Sequence, residues 1–251
     1  MSFYDEKHAL VTGGGSGIGA ACARVLADKG AKVTIIGRNV DRLAAAAADM
    51  SVSCQVADVT DRTQVTTAIK AAVAEYGNID ILVNNAGSAE AMPFARMDDA
   101  LWDKMLSVNL TGVYNCARAA INGMLNKGSG QIVNVASTAA LTGYAYVTAY
   151  CAAKHGVIGL TRALALEVAD KGITVNAVCP GYTDTDIVQQ TIDNIVKSTG
   201  RSREEALAEL KKSNPQGRLI QPEEVADTVI WLCRQASMNG QAIAVAGGEV
   251  M

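Results

Sequence analysis

Short β-branched runs alternate with longer helical stretches along the whole 251-residue chain, and few folds accept that alternation. His8 to Thr12, Lys32 to Ile36, Ser53 to Val56 and Ile79 to Val83 read as strands one to four, and Gln131 to Ala136, Thr174 to Cys179 and Ala242 to Val245 as three more. Gly17 to Lys29, Arg42 to Asp49, Arg62 to Tyr76, Leu101 to Asn126, Ala149 to Lys171 and Pro222 to Arg234 read as the helices between them. A helix after each strand means crossovers rather than hairpins. The expected fold is therefore α/β, a doubly wound parallel sheet of about seven strands with helices on both faces. No linker or composition shift divides residues 1–251, so one domain is expected. Its one irregularity is the segment 182–218, where two charged helical pieces break the alternation and Ser202 with Glu205 forms a capping-box pattern. That segment reads as an excursion over the carboxyl edge of the sheet, a substrate lid.

Apolar residues make up 49% of the chain and charged residues 19%, enough for a large buried core and too little charge for a disordered chain. The net charge is −3 and the basic residues are scattered, which argues against a nucleic-acid partner. Met1 to Lys7 is polar, and no run approaches the ~20 apolar residues of a membrane span, so a cytoplasmic protein without a membrane partner is expected. The six cysteines form no CxxC pair, and neither His8 nor His155 has a carboxylate at ligand spacing, so no metal site is expected.

Thr12-Gly13-Gly14-Gly15-Ser16-Gly17-Ile18-Gly19 follows the first strand and opens the first helix, where backbone N–H groups and the helix dipole can hold a pyrophosphate. At the end of strand two, where a carboxylate would select the ribose 2′-OH of NAD, stands Gly37-Arg38-Asn39. Arg38 offers a planar, permanently charged fork suited to the 2′-phosphate of NADP(H). Ser16 supplies no second basic residue in the glycine loop, which keeps NAD(H) as the alternative. Tyr150-Cys151-Ala152-Ala153-Lys154 puts a phenol and an ammonium on one helical face. Free tyrosine titrates near pH ~10, and a neighbouring cation is expected to lower that value and make Tyr150 a usable acid and base.

In this order and spacing the motifs resemble the short-chain dehydrogenase/reductase family, whose members have a Rossmann fold, and the resemblance runs through the Gly247-Gly248 turn. It implies cofactor contacts from Gly13, Gly15, Ser16, Gly17, Ile18, Gly19 and Arg38. Asp58 and Val59 would meet the adenine ring, although Asp58 also suits the polar position of a turn. Asn85, Ala86 and Gly87 would border the adenosine ribose, and Pro180, Gly181, Thr183 and Thr185 the nicotinamide. The implied catalytic set is Asn109, which holds a relay water, Ser137, which binds the substrate oxygen, Tyr150, and Lys154, which also contacts the cofactor ribose. A homotetramer is implied as well, with the tail Gln241 to Met251 and the long helices after strands four and five as contact faces.

The stretch Gly172 to Gly181 resembles ketoacyl-thioester reductases and polyketide ketoreductases. Ala89 to Phe94, Thr138 to Tyr146 and Tyr182 to Val188 are expected to wall the substrate. They are largely apolar, which suits a hydrophobic ketone or acyl group. The leading expectation is an oxidoreductase for a 3-oxoacyl thioester or related ketone, and the alternative is a dehydrogenase of a cyclic alcohol, steroid or polyol. A catalytically silent cofactor sensor is disfavoured because Tyr150 and Lys154 are both present. Lys197, Arg201, Arg203, Lys211 and Lys212 could meet the phosphates of a thioester carrier or form a solvated face paired with Glu204, Glu205 and Glu209.

Overall fold

The computed structural model describes residues 2–250. Met1 and Met251, the outer ends of the two terminal segments named above, lie outside them. Seven strands, β1 (His8–Thr12), β2 (Lys32–Gly37), β3 (Ser53–Val56), β4 (Ile81–Asn84), β5 (Gly130–Val135), β6 (Ile173–Pro180) and β7 (Ala242–Val245), form one parallel sheet in the order β3-β2-β1-β4-β5-β6-β7. The order reverses between β1 and β4, which opens a crevice at their carboxyl ends.

Side chains on successive strand positions face opposite layers. Ala9, Val11, Ile35, Ile81 and Val83 pack with α1 (Gly17–Asp28), α2 (Val40–Met50) and α9 (Pro222–Cys233). Leu10, Ile36 and Leu82 pack on the other side with α3 (Arg62–Tyr76), α5 (Gly112–Lys127) and the end of α6 (Thr148–Glu167). Burial on both faces is why the central strands β1 and β4 read as near-continuous apolar runs.

The structure departs from the expected elements at three places. Ile79 is buried but lies outside β4, because Asp80 bonds the start of β1 instead: its carboxylate accepts from His8 N at 3.0 Å and pairs with Lys127. The expected helix Leu101 to Asn126 is α4 (Asp99–Leu106) and α5 joined by a π turn, Ser107–Thr111. Asn109 accounts for the widened pitch, since its Nδ2 reaches back from the π turn to Met105 O at the end of α4, at 3.0 Å, and inserts a side chain into the helical ladder. The helix expected to reach Lys171 ends at Glu167, and Ala169–Lys171 is a 3₁₀ turn before Gly172 at φ 69°.

Between residues 182 and 218, α7 (Asp186–Thr199) and α8 (Arg203–Lys212) share a small apolar cluster built on Val188, Ile192, Ala206, Leu210 and Leu219. The Ser202–Glu205 capping box is formed. Tyr182 O accepts from Ile220 N at 2.9 Å, and Asp184 N donates to Ile220 O at 2.9 Å, so the two ends of the excursion are laced together. Among the described residues no helix is long and apolar enough to cross a membrane.

Candidate active site

The glycine loop folds tightly over the carboxyl end of β1. Gly13, at φ 66°, donates its N–H to Ile36 O at 2.7 Å, and a Cβ on Gly19 would collide with the Gly13 carbonyl. Ser16 is the N-cap of α1 but makes no side-chain cap, and the first turn of α1 carries no acidic residue. The helix end therefore presents open N–H groups and a positive dipole to an anion.

Thr12 is a site residue that the sequence reading passed over, although it is the first letter of the glycine motif. Its Oγ1 accepts from Asn85 N and Ala86 N, both at 3.0 Å, while Asn85 Nδ2 donates to Thr12 O at 3.0 Å. The polar turn after β4 is thereby laced to the glycine loop. Behind it, Asn84 Nδ2 donates to Asn134 Oδ1 at 2.9 Å, and Asn134 Nδ2 to Thr161 Oγ1 of α6 at 2.8 Å, so a buried polar chain ties β4, β5 and α6 at one level.

At the end of β2, Asn39 Oδ1 caps α2 by accepting from Arg42 N at 2.8 Å. Arg38 is exposed, with Nη1 3.4 Å from Asp58 Oδ2. Asp58 also accepts from Thr60 N at 2.9 Å and Thr60 Oγ1 at 2.8 Å, so it does serve a turn. Burial alone would raise its pKa, but the two Thr60 bonds and Arg38 together hold it below the ordinary value. Arg42, next in from Arg38 on α2, pairs with Asp186 at the start of α7 at 2.7 Å.

Asn109, Ser137, Tyr150 and Lys154 converge on one cavity of about 800 Å³, which Ile18, Asn85, Gly87, Pro180, Gly181, Thr183 and Thr185 also line. The remaining loop residues Gly13, Gly15, Ser16, Gly17, Gly19 and Ala86, together with Arg38, Asp58 and Val59, lie outside that cavity wall. Asn109, fully buried in the π turn, donates from Nδ2 to Ser88 O at 2.9 Å and accepts from Ser88 N at 3.2 Å. Ser137 caps the 3₁₀ turn Thr138–Ala140 by accepting from Ala139 N at 3.1 Å, which leaves its own proton free to donate.

One expectation is corrected. Tyr150 is not lowered by Lys154: burial pushes the phenol up to about 12, with the Ser137 hydroxyl pulling it in the opposite direction. The reason lies in where the ammonium points. Lys154 Nζ donates to Val135 O at 2.9 Å and stands 5.7 Å from the Tyr150 ring centroid, and burial pushes its own pKa down to about 8. At neutral pH Tyr150 holds its proton, the state needed to protonate a developing alkoxide.

Lys154 is 4% exposed, so its charge is held at a cost. Replacing it in Lys154→Met is expected to raise the melting temperature at pH 7 by about 2–4 °C while abolishing turnover. The wild-type penalty is complete below pH 8, the folded-state value, and vanishes above the ordinary lysine value of 10.5. The gain should therefore shrink across that window. An unchanged or lower melting temperature at pH 7 would mean that the bond to Val135 outweighs the cost of burial.

The substrate walls differ from expectation in extent and polarity. Ala89 to Ala91 line the cavity but Phe94 is 72% exposed and does not, and from the next loop Thr138, Ala139, Tyr144 and also Val147 contribute. Beyond the expected stretch Tyr182 to Val188, helix α7 adds Gln190, Thr191, Asn194, Ile195 and Ser198. Their i, i+4, i+8 spacing was the available signal, and they make the far wall more polar than expected. Among the basic residues of the excursion, Arg203 pairs with Asp193 and Gln189, and Lys212 with Glu209. None of the five lines the cavity.

The family described as short chain dehydrogenase matches residues 7–196. The chain is 41% identical over 252 residues to cis-4-hydroxycyclohexanecarboxylate dehydrogenase of Sinomonas cyclohexanicum, covering 98% of this chain and 97% of that one. It is 38% identical over 255 residues to a 3-oxoacyl-(acyl-carrier-protein) reductase of Chlamydia muridarum, covering 98% of each. The crystal structure of a variant actinorhodin polyketide ketoreductase with NADPH superposes with a TM-score of 0.95 at 37% identity, covering 99% of both chains.

Proposed function

Since the chain belongs to the short chain dehydrogenase family and is an oxidoreductase of the ketoreductase kind, we propose that it reduces a 3-oxoacyl thioester or related ketone with NADPH. The observation that carries this reading is the meeting of Asn109, Ser137, Tyr150 and Lys154 in one cavity that the glycine motif reaches through Ile18.

The residues fit a dinucleotide. The uncapped start of α1 and the Cβ-free cradle at Gly19 suit a pyrophosphate, and Arg38 suits a 2′-phosphate where NAD-binding sites carry a carboxylate. When bound, the cofactor supplies the hydride. Ser137 Oγ donates a hydrogen bond to the substrate oxygen and steadies its developing charge. Tyr150 Oη then delivers its proton to that oxygen, so hydride and proton together convert C=O to CH–OH. Lys154 Nζ, held by Val135 O, would contact the cofactor ribose when the cofactor is bound, and Asn109 keeps the π turn and the loop at Ser88 in register for a relay water. Residues 182–218 act as a lid on the single domain.

A second reading rests on the polar α7 wall and on the cyclohexanecarboxylate dehydrogenase relative: oxidation of a cyclic alcohol. Consumption of NADPH measured with acetoacetyl-CoA, a cyclic ketone and an unsymmetrical 1,3-diketone, and repeated with NADH, separates the two. Turnover of acyclic substrates supports the reductase, and turnover of the cyclic ketone alone supports the second reading. No turnover despite tight cofactor binding would leave a silent sensor.

Arg38→Asp is expected to raise the KM for NADPH about 10–100-fold and to improve NADH. An unchanged preference would assign cofactor choice to other residues. We extend the reading to a cytoplasmic homotetramer with α5, α6 and residues 241–250 as contact faces. The 83% exposure of Leu166 on α6 supports this, and a monomer by light scattering would refute it.

A further inference from the structure

Behind the cavity wall lies a carboxylate that this mechanism does not use. After β7 the chain turns at Gly247 and Gly248, whose φ values of 61° and 98° are left-handed. Glu249 N then donates to Ala246 O at 3.2 Å. The turn brings the Glu249 side chain over Gly181, where a Cβ would stand 2.7 Å from Oε2. Oε1 accepts from the Tyr144 hydroxyl at 2.7 Å, and Tyr144 Oη lies 2.9 Å from Thr138 Oγ1. Oε2 is buried without a partner, and burial raises the Glu249 pKa, so the carboxyl is kept there at a cost.

The protons can be counted. Thr138 and Tyr144, both lining the cavity, carry two hydroxyl protons. A carboxylate only accepts, so the phenol proton goes to Glu249 and the Thr138 proton to the phenol oxygen. With that external acceptor both protons are committed. Without it, one is released to face the substrate. Thr183 and Thr185 elsewhere on the wall already donate to the carbonyls of Gly181 and Thr183. The loop from Thr138 to Tyr144 thus offers no donor that competes with Ser137 and Tyr150.

Building on the ketone-reduction reading, we propose that Glu249 is a specificity-determining positioning residue: by holding the Tyr144 proton it keeps the Thr138–Tyr144 loop from competing with Ser137 and Tyr150 for a substrate oxygen and so biases which carbonyl of a dicarbonyl substrate is reduced. A 3-oxoacyl thioester or a 1,3-diketone has two acceptor oxygens, and a stray donor on the wall would let the substrate bind in the wrong register.

The test is the product ratio from an unsymmetrical 1,3-diketone with NADPH, where each product reports one carbonyl. Glu249→Leu is expected to erode the wild-type ratio about fivefold to tenfold. Glu249→Gln, whose amide oxygen still accepts from Tyr144, should retain most of it. Adding Glu249→Leu to Tyr144→Phe should change nothing beyond Tyr144→Phe alone, because both act on the same pair of protons. Unchanged ratios in Glu249→Leu, or losses that multiply in the double variant, would overturn the inference while leaving ketone reduction intact. Absence of wild-type turnover would overturn both.

Discussion

Tyr150→Phe is expected to lower kcat for ketone reduction by about 10²–10⁴-fold, with a much smaller change in NADPH affinity. With a pKa pushed up to about 12, the phenol is protonated throughout the neutral range, as the proposed proton source at the reacting oxygen must be. Phenylalanine keeps the ring at this position of α6 and removes only that source. The variant should therefore fold normally, and single-turnover reduction measured beside cofactor titration should locate the loss in the chemical step. Retention of more than about a tenth of wild-type kcat would mean that another group, or water, protonates the product.

Ser137→Ala is the second large effect, with kcat expected to fall about 10²–10³-fold. Two consequences separate Ser137 from Tyr150. The Ser137 oxygen caps the 3₁₀ turn at Ala139 N, so its loss should also cost about 1 kcal/mol of stability, or about 2–4 °C in melting temperature. The Ser137 hydroxyl is also the group that pulls the Tyr150 pKa down, so without it the phenol should titrate higher and any basic limb of the rate profile should move to higher pH. Ser137→Thr, which keeps a hydroxyl, should recover much of the activity. An alanine variant with normal kcat would remove Ser137 from the oxygen-binding role.

Much of this was legible beforehand. The central strands β1 and β4 announce themselves because they are buried along their whole length, which forces nearly continuous apolar runs, whereas β3 and β7 at the two edges are partly exposed and are found by the alternation with helices. The glycine loop is recognisable because its backbone path excludes Cβ atoms. What stayed hidden depends on where side chains end rather than where they begin. Helical spacing puts Lys154 beside Tyr150, yet only the fold shows its ammonium turned to the Val135 carbonyl. The π turn looks like ordinary helix in sequence, since one extra residue per turn leaves no mark in composition. Glu249 is separated from Tyr144 by more than a hundred residues of chain, and no local pattern couples them.

The lacing at Tyr182, Asp184 and Ile220 has an evolutionary side. Departure and return points of the excursion stand next to each other, and the segment between them carries its own small apolar cluster. It is a cassette, joined to the rest of the fold by the backbone bonds at Ile220 and by side-chain contacts such as the Arg42–Asp186 pair. Duplicated genes could diverge along α7 and α8 and acquire new substrates without touching Asn109, Ser137, Tyr150 or Lys154. One scaffold could thus sustain reductases and dehydrogenases with dissimilar appetites.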